Sequence, residues 1–351
     1  MNQRRTSRLL LTACLGLVLA AASGCVSTAP SGGKKLVYFI FNGYTPPYFA
    51  PMATGITAAS KHYPGLEIKI IGANGSSSVE ISDIHAAVAA GASGIILNAI
   101  DTSVTQAAKQ ASSKGIPVVT IDRDVSDPSA RSAFIGDNDN KLGQQEAQSC
   151  LAGLSASGLP KPWHVVLLEG TLGATTAVDR LAGTESVLKP SIASGSVQVV
   201  LNQSANFDTG TAQSVMSAEL AKTTNIQAVI SGNDAMALGA ISALGSHGLT
   251  PGKKTIVCGV DAQPESLAGI KAGTQYNTVT HAPYLEAFWA VEAMGNYLAH
   301  KTRPPASDTG GDVLVPQNVV TRASVGSVSA WGTPGTVPPL PYGTATSYPA
   351  R

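Results

Sequence analysis

Short apolar runs in this chain break off, one after another, at side chains that exchange hydrogen bonds. The run 36–41 leads into Asn42, Gly43 and Tyr44, then through Pro46 and Pro47 to Tyr48 and Phe49. The run 117–121 ends in Asp122 and Arg123, and 228–230 in Ser231, Gly232, Asn233 and Asp234. The run 255–260 ends in Asp261 and 276–280 in His281, while Phe207 and Asp208 stand before a further helical pattern. An ionised Asp only accepts, Arg only donates through a planar fork, and Asn does both. That mixture suits a polyhydroxylated ligand, a sugar or polyol, whose hydroxyls also do both. Aromatic faces cover the apolar C–H face of a sugar ring. The chain has only 3 Trp, 9 Tyr and 6 Phe in 351 residues, so three aromatics in the first loop carry weight. Desolvating polar groups costs little only when each is paired, and that is a source of selectivity. Plainer roles are expected for some neighbours. Asp234 and Asp101 each precede a helical stretch and are expected to cap it, and Tyr44 is expected at the surface.

The elements behind these ends alternate. The runs 36–41, 95–97, 117–121, 165–168, 228–230 and 255–260 are continuously apolar, as strands buried on both faces of a parallel sheet are. Between them lie helical stripes. Val104, Ala107, Ala108 and Ala111 recur at helical spacing before Gly115, and Ala237, Ala240, Ile241 and Leu244 do so before Gly248. Alternation with short connections predicts an α/β fold with right-handed crossovers. It falls into two similar halves about Asp137, which predicts two doubly wound parallel-sheet lobes joined by a hinge. In such sheets ligands sit beyond the carboxyl ends of the strands.

The chain ends speak to compartment. Arg4, Arg5 and Arg8 precede an apolar stretch over 9–22, followed by Ser23, Gly24 and Cys25. This is the layout of an export signal, too short for a comfortable membrane span. Ala22-Ser23-Gly24-Cys25 resembles the lipobox of bacterial lipoproteins, which implies lipidation of Cys25 and a membrane anchor at the cell envelope. Residues 1–24 then form the signal peptide and 25–34 a tether. Residues 323–351, rich in Gly, Pro, Ser and Thr, read as an extended tail docked by Trp331. The whole chain carries a formal charge of +1, and removing the signal leaves 20 basic against 22 acidic side chains. Such a balance argues against a nucleic-acid partner. Cys150 and Cys258 are expected as two buried free thiols. There is no zinc-protease, nucleotide-loop or nucleophile-elbow motif and no metal set. Asp137-Asn138-Asp139-Asn140 begins like a calcium loop, but Lys141 and Gln148 occupy positions that need ligands. No catalysis, cofactor or metal is expected.

Three segments carry a resemblance: Pro117-Val118-Val119-Thr120-Ile121-Asp122-Arg123, Gly232-Asn233-Asp234-Ala235-Met236-Ala237-Leu238-Gly239 and Gly259-Val260-Asp261. In this order and spacing they resemble the ribose- and galactose-type sugar-binding proteins of bacterial transporters, over roughly residues 35 to 322. The resemblance implies a type I periplasmic binding protein-like fold. Lobe 1 is expected over 35–136 and 281–306, and lobe 2 over 137–280 and 307–322. It implies ligand contacts from Tyr48, Phe49, Asp122, Arg123, Phe207, Asn233, Asp261 and His281. His281 falls where ribose receptors carry Gln, and Val178 where they carry an Arg, with Arg180 two residues on. These departures leave a polyol, another pentose or a cyclitol as open as ribose. The implied partners are an ABC permease and its ATPase, the receptor itself being a monomer. The alternative is a sensor that presents its ligand to a signalling partner.

Overall fold

The computed structural model describes residues 33–43, 48–304, 311–332 and 337–342. The export signal, Cys25, its tether and Tyr44 lie outside the described residues. Among those described, no helix is long and apolar enough to cross a membrane.

The first lobe is built on β1 (Lys35–Phe41), β2 (Leu66–Gly72), β3 (Gly94–Asn98), β4 (Val118–Ile121) and β5 (Ala133–Gly136), with β11 (Asp312–Leu314) at the far edge. Their order is β11-β5-β4-β3-β1-β2, every pair parallel. All five residues of β3 are buried, because helices cover both faces. Val37, Phe39 and Phe41 pack against α1 (Phe49–Ser60) and α9 (Pro283–His300), while Tyr38 and Ile40 pack against α2 (Ser77–Ala89) and α3 (Thr105–Ser113). The alternation of side chains along one strand thus feeds two cores.

The second lobe repeats the plan with β6 (Trp163–Glu169), β7 (Val197–Ser204), β8 (Ala228–Ser231), β9 (Ile256–Cys258), β10 (Asn277–Val279) and β12 (Val319–Thr321). The order is β12-β10-β9-β8-β6-β7, antiparallel only between β10 and β12. Val166, Val229 and Val257 face α6 (Thr209–Leu220) and α7 (Asp234–Ser246). Val165, Ala228 and Ile256 face α4 (Asp139–Ser157) and α5 (Thr175–Ala193). The remaining helix, α8 (Pro264–Ala272), packs its Leu267 and Ile270 with Val320 of β12. The fold is therefore the doubly wound, two-lobed α/β arrangement expected from the alternating runs. The predicted helix stops are also present: Gly115 and Gly248 take positive φ of 80° and 72°, where a Cβ would be strained.

The chain crosses between lobes at 137–138, 280–282 and 315–318. These crossings are bonded to one another. Val315 N donates to Gly136 O at 2.8 Å, Asn318 N to Thr280 Oγ1 at 2.9 Å, and Gln317 Nε2 to Asp137 Oδ1 at 3.1 Å.

Three expectations need correction. Residues 307–322 do not all belong to lobe 2: β11 joins β5 in the first sheet and only β12 joins β10 in the second. An unpaired β5 edge takes up the returning chain before it crosses back. The segment after 322 is not simply extended. It makes 3-10 turns at Val325–Ser327 and Ala330–Gly332, and it buries Val325, Trp331, Leu340 and Tyr342. Finally, Cys150 and Cys258 are not free thiols but a disulfide with Cα atoms 6.1 Å apart. Helix α4 lies across the second sheet and sets Cys150 over the end of β9, a proximity that no local pattern encodes.

Candidate functional site

All eight side chains expected at a site line one cavity of about 730 Å³ between the lobes, together with Asn98, Thr176, Arg180 and Trp331. The strand ends of the two sheets face each other across it. The lobes also touch at its rim, where Thr102 N donates to Gly173 O at 3.3 Å and Asp124 N to Thr175 Oγ1 at 3.0 Å.

Asp122 leaves β4 with a positive φ of 59°, its N–H donating to Ile135 O at 3.0 Å. Asn98, at the end of β3, clamps this turn by donating Nδ2 to Ile121 O at 3.0 Å and to Asp122 Oδ2 at 2.8 Å. Arg123 donates Nη1 to Ile100 O at 3.2 Å and lays its guanidinium 5.2 Å from the centre of the Phe207 ring, across the cleft. Its remaining N–H groups have no hydrogen-bond acceptor among the described residues. On the other side of the first lobe, Phe49 opens α1 and meets Phe41 edge-on at 4.6 Å. The Tyr48 hydroxyl lies 3.3 Å from His281 Nε2. Burial and the carboxylates Asp122, Glu286 and Asp261 push that phenol above its ordinary range, so it stays protonated.

The second lobe supplies Phe207, Asn233, Asp261 and Arg180. Phe207 takes a positive φ of 57° after Asn206, and Gly170 stands beneath its ring where a Cβ would collide with it. Asn233 is itself the cap of α7: its Oδ1 accepts from Met236 N at 2.9 Å. Its amide nitrogen has no protein partner among the described residues. The neighbouring Asp234, expected as that cap, is instead fully buried. It accepts from Gln263 N, Thr278 Oγ1 and Gln275 Nε2 at 2.8 to 2.9 Å, bracing the turn after β9.

Val178 is 55% exposed on the outside of α5, whereas Arg180 is 4% exposed and lines the cavity. Arg180 donates Nε to Asp139 Oδ1 at 2.7 Å and Nη1 to Gly232 O at 3.0 Å, and lies 3.7 Å from Asp261 Oδ1. Gly143 on α4 and Gly183 on α5 allow the close helix approach this needs, since a Cβ at either would strike the other helix's backbone. Burial would favour losing the proton of Arg180, but Asp139 and Asp261 outweigh it and hold the guanidinium charged. Burial in turn raises Asp139 to about 6 despite that partner.

His281 sits at the crossing, 2% exposed. Its Nδ1 lies 3.1 Å from Asp261 Oδ1, and its Nε2 lies 2.9 Å from Glu286 Oε1, 3.2 Å from Asp137 Oδ2 and 3.5 Å from Asp122 Oδ1. Burial opposes a charge there, yet Glu286 and Asp137 raise its pKa well above the ordinary value. Protonated, the ring donates Nδ1–H to Asp261 and Nε2–H to Glu286, with Asp122 of the first lobe within ion-pair distance of Nε2. Asp122, His281 and Glu286 form the one group of metal-capable atoms among the described residues. A protonated ring offers no lone pair to an ion.

A model of the periplasmic binding protein domain matches residues 37–302. The chain belongs to the periplasmic binding protein family. This binding protein is 33% identical over 256 residues to the ribose import binding protein of Bacillus subtilis, covering 73% of this chain and 79% of the relative. The Caulobacter myo-inositol binding protein, solved with myo-inositol, superposes at a TM-score of 0.75 with 25% identity, over 87% of this chain and 99% of that one. The binding component of the arabinose ABC transporter from Shewanella sp. ANA-3, solved with L-arabinofuranose, does so at 0.72 with 27% identity, over 83% and 93%. All three are named as binding proteins, the first for ribose import and the third as a component of an ABC transporter.

Sequence reasoning missed Asn98 and left Arg180 undecided. Asn98 directly follows the apolar run 95–97, so the rule applied to the other strand ends reaches it one residue on. Arg180 had no such signal, because it lies inside a helix and its place depends on how α5 packs on α4.

Proposed function

We propose that this protein is an extracytoplasmic receptor that shuts two lobes on a monosaccharide or polyol and delivers it to an ABC importer. One observation carries the reading: a single cavity receives Phe49, Asp122 and Arg123 from one lobe and Phe207, Arg180, Asn233 and Asp261 from the other. Its size lies within the roughly 300–1,000 Å³ of small-molecule sites. Groups on both lobes meet one ligand only when the cleft is shut, so the ligand binds the closed state more tightly and favours it. Arg123 and the Asn233 amide supply donors that have no acceptor among the described residues, while Asp122 and Asp261 are acceptors held in place by Asn98, His281 and Arg180. The aromatic side chains offer a ring's C–H face its cover. Relatives named for ribose import, L-arabinofuranose and myo-inositol support a pentose, furanose or cyclitol as the ligand class. A lipid on Cys25, with the tether 25–34, keeps the receptor at the membrane beside its permease.

The test is a thermal-shift screen of the body from Val26 against pentoses, hexoses, polyols and cyclitols. Ligand at about 1,000 times its dissociation constant adds roughly 4 kcal/mol, which moves the midpoint by a few degrees at this size. A shift confined to one stereochemical group is expected. No shift with any member of the panel rejects the sugar or polyol receptor.

A further inference from the structure

We propose that Trp331, on the segment that follows both sheets, is a ligand-binding residue of this cleft. The inference rests on the receptor reading and extends it beyond residues 37–302, the part the family model matches. The segment first docks on the second lobe. Val325 packs with Ala262, Leu267, Ile270 and Val320, and Trp331 N donates to Ala262 O at 3.2 Å, next to Asp261. It then continues on the first lobe, where Leu340 and Tyr342 join the core formed by α1 and α9 and Trp289 Nε1 donates to Pro338 O at 3.0 Å. Trp331 stands where the chain has left one lobe and not yet reached the other.

Three observations set it apart from a residue that only anchors the tail. The residue is 7% exposed and lines the cavity, its ring edge-on to Tyr48 at 6.4 Å. Its indole Nε1 is buried with no hydrogen-bond partner among the described residues, although a buried tryptophan N–H ordinarily finds one. Its backbone is held at φ 52°, ψ 30°, a left-handed conformation that bulky residues avoid and that gathers at ligand sites. The segment accepts a strained residue and an unsatisfied donor in order to present an indole to the cleft. A hydroxylated ring in the cavity supplies an apolar C–H face for the indole to cover.

The experiment uses the protein from Val26 to its C-terminus, with D-ribose, L-arabinose, D-allose and myo-inositol as probes. Titration calorimetry, tryptophan emission and the ligand-free melting midpoint are measured for wild type, Trp331→Phe and Trp331→Ala. Trp331→Ala is expected to raise the dissociation constant of the bound probe about tenfold or more, and Trp331→Phe, which keeps a ring but loses the N–H, by less. Wild-type emission should change on saturation, and that change should disappear in Trp331→Phe, leaving Trp163 and Trp289 silent. Unchanged affinity in both variants overturns the proposal even if the ligand-free midpoint falls, since that pattern is a tail anchor's. If Trp331→Ala does not fold, Trp331→Phe decides: unaltered affinity with the wild-type emission change retained overturns it. Where none of the four binds, the probe is the member of the pentose, hexose, polyol and cyclitol panel that shifts the midpoint; a wild type that binds no member of that panel overturns the proposal together with the receptor reading, so the two failures are told apart.

Discussion

Asn233 shows how one side chain serves two ends. Its Oδ1 caps α7 through Met236 N at 2.9 Å, which leaves the amide nitrogen of this cavity-lining residue without a protein partner among the described residues. The two roles separate by substitution. Asn233→Asp keeps a capping oxygen and removes the donor, so the melting midpoint should hold while the dissociation constant rises about tenfold or more. Asn233→Ala should lose both, with about 1 kcal/mol of stability gone as well. Calorimetry beside thermal melts reads the two effects apart, and equal affinity in Asn233→Asp and wild type would remove Asn233 from the site. Asp122 and Asp261 are different: each is locked by neighbours, Asn98 in one case and Arg180 with His281 in the other. The polar residues were legible because they end apolar runs, where the chain must leave the sheet. Their bracing partners were less so, since Arg180 and Glu286 sit within helices whose packing is not a local property.

At the scale of elements, the second lobe is held by more than its two cores. The Cys150–Cys258 disulfide joins α4 to β9 across a sequence separation of 108 residues. In the chain-entropy view, closing a loop of that length stabilises by about 4–5 kcal/mol. The double variant Cys150→Ala/Cys258→Ala should therefore melt several degrees lower, with sugar affinity nearly unchanged because neither sulfur lines the cavity. A melting point equal to that of the oxidised protein would show the bond contributes nothing to stability. The same helix α4 also presses Gly143 against α5 and thereby sets Arg180 over Asp139. Sequence patterns predicted β1, β3, β4, β6, β8, β9 and β10, the helix stops and the α/β plan, since apolar runs and glycine are local signals, but not β2, β5, β7, β11 or β12. They missed the disulfide and the allegiance of β11, since both depend on which edge or face is left open once the sheets have formed.

The whole molecule is a pair of lobes tied by three crossings and by a C-terminal segment with contacts on both. Ion pairs through His281 run from Asp122 to Asp261, so the hinge region is charged and internally bonded rather than a bare linker. The lipid proposed on Cys25 is tested on the full-length chain. Cys25→Ser should move the protein from the membrane fraction to the soluble fraction of the producing cell while leaving ligand affinity as it was. Fractionation followed by immunoblotting checks this, and a variant that stays with membranes would show that another feature holds it there.

By itself the sequence determined the alternating architecture, the two halves, the polar residues at the strand ends and the resemblance to sugar-binding receptors. Those features follow from neighbours in the chain: apolar runs, turn residues and short motifs. Only the tertiary structure decided that Arg180 takes a place in the cavity while Val178 faces solvent, and that Asn233 rather than Asp234 caps α7. Tertiary structure also paired Cys150 with Cys258 and carried Trp331 to the cleft. Each of those outcomes depends on distances between segments far apart in sequence, set by how helices pack on sheets and by where the returning chain finds an open edge.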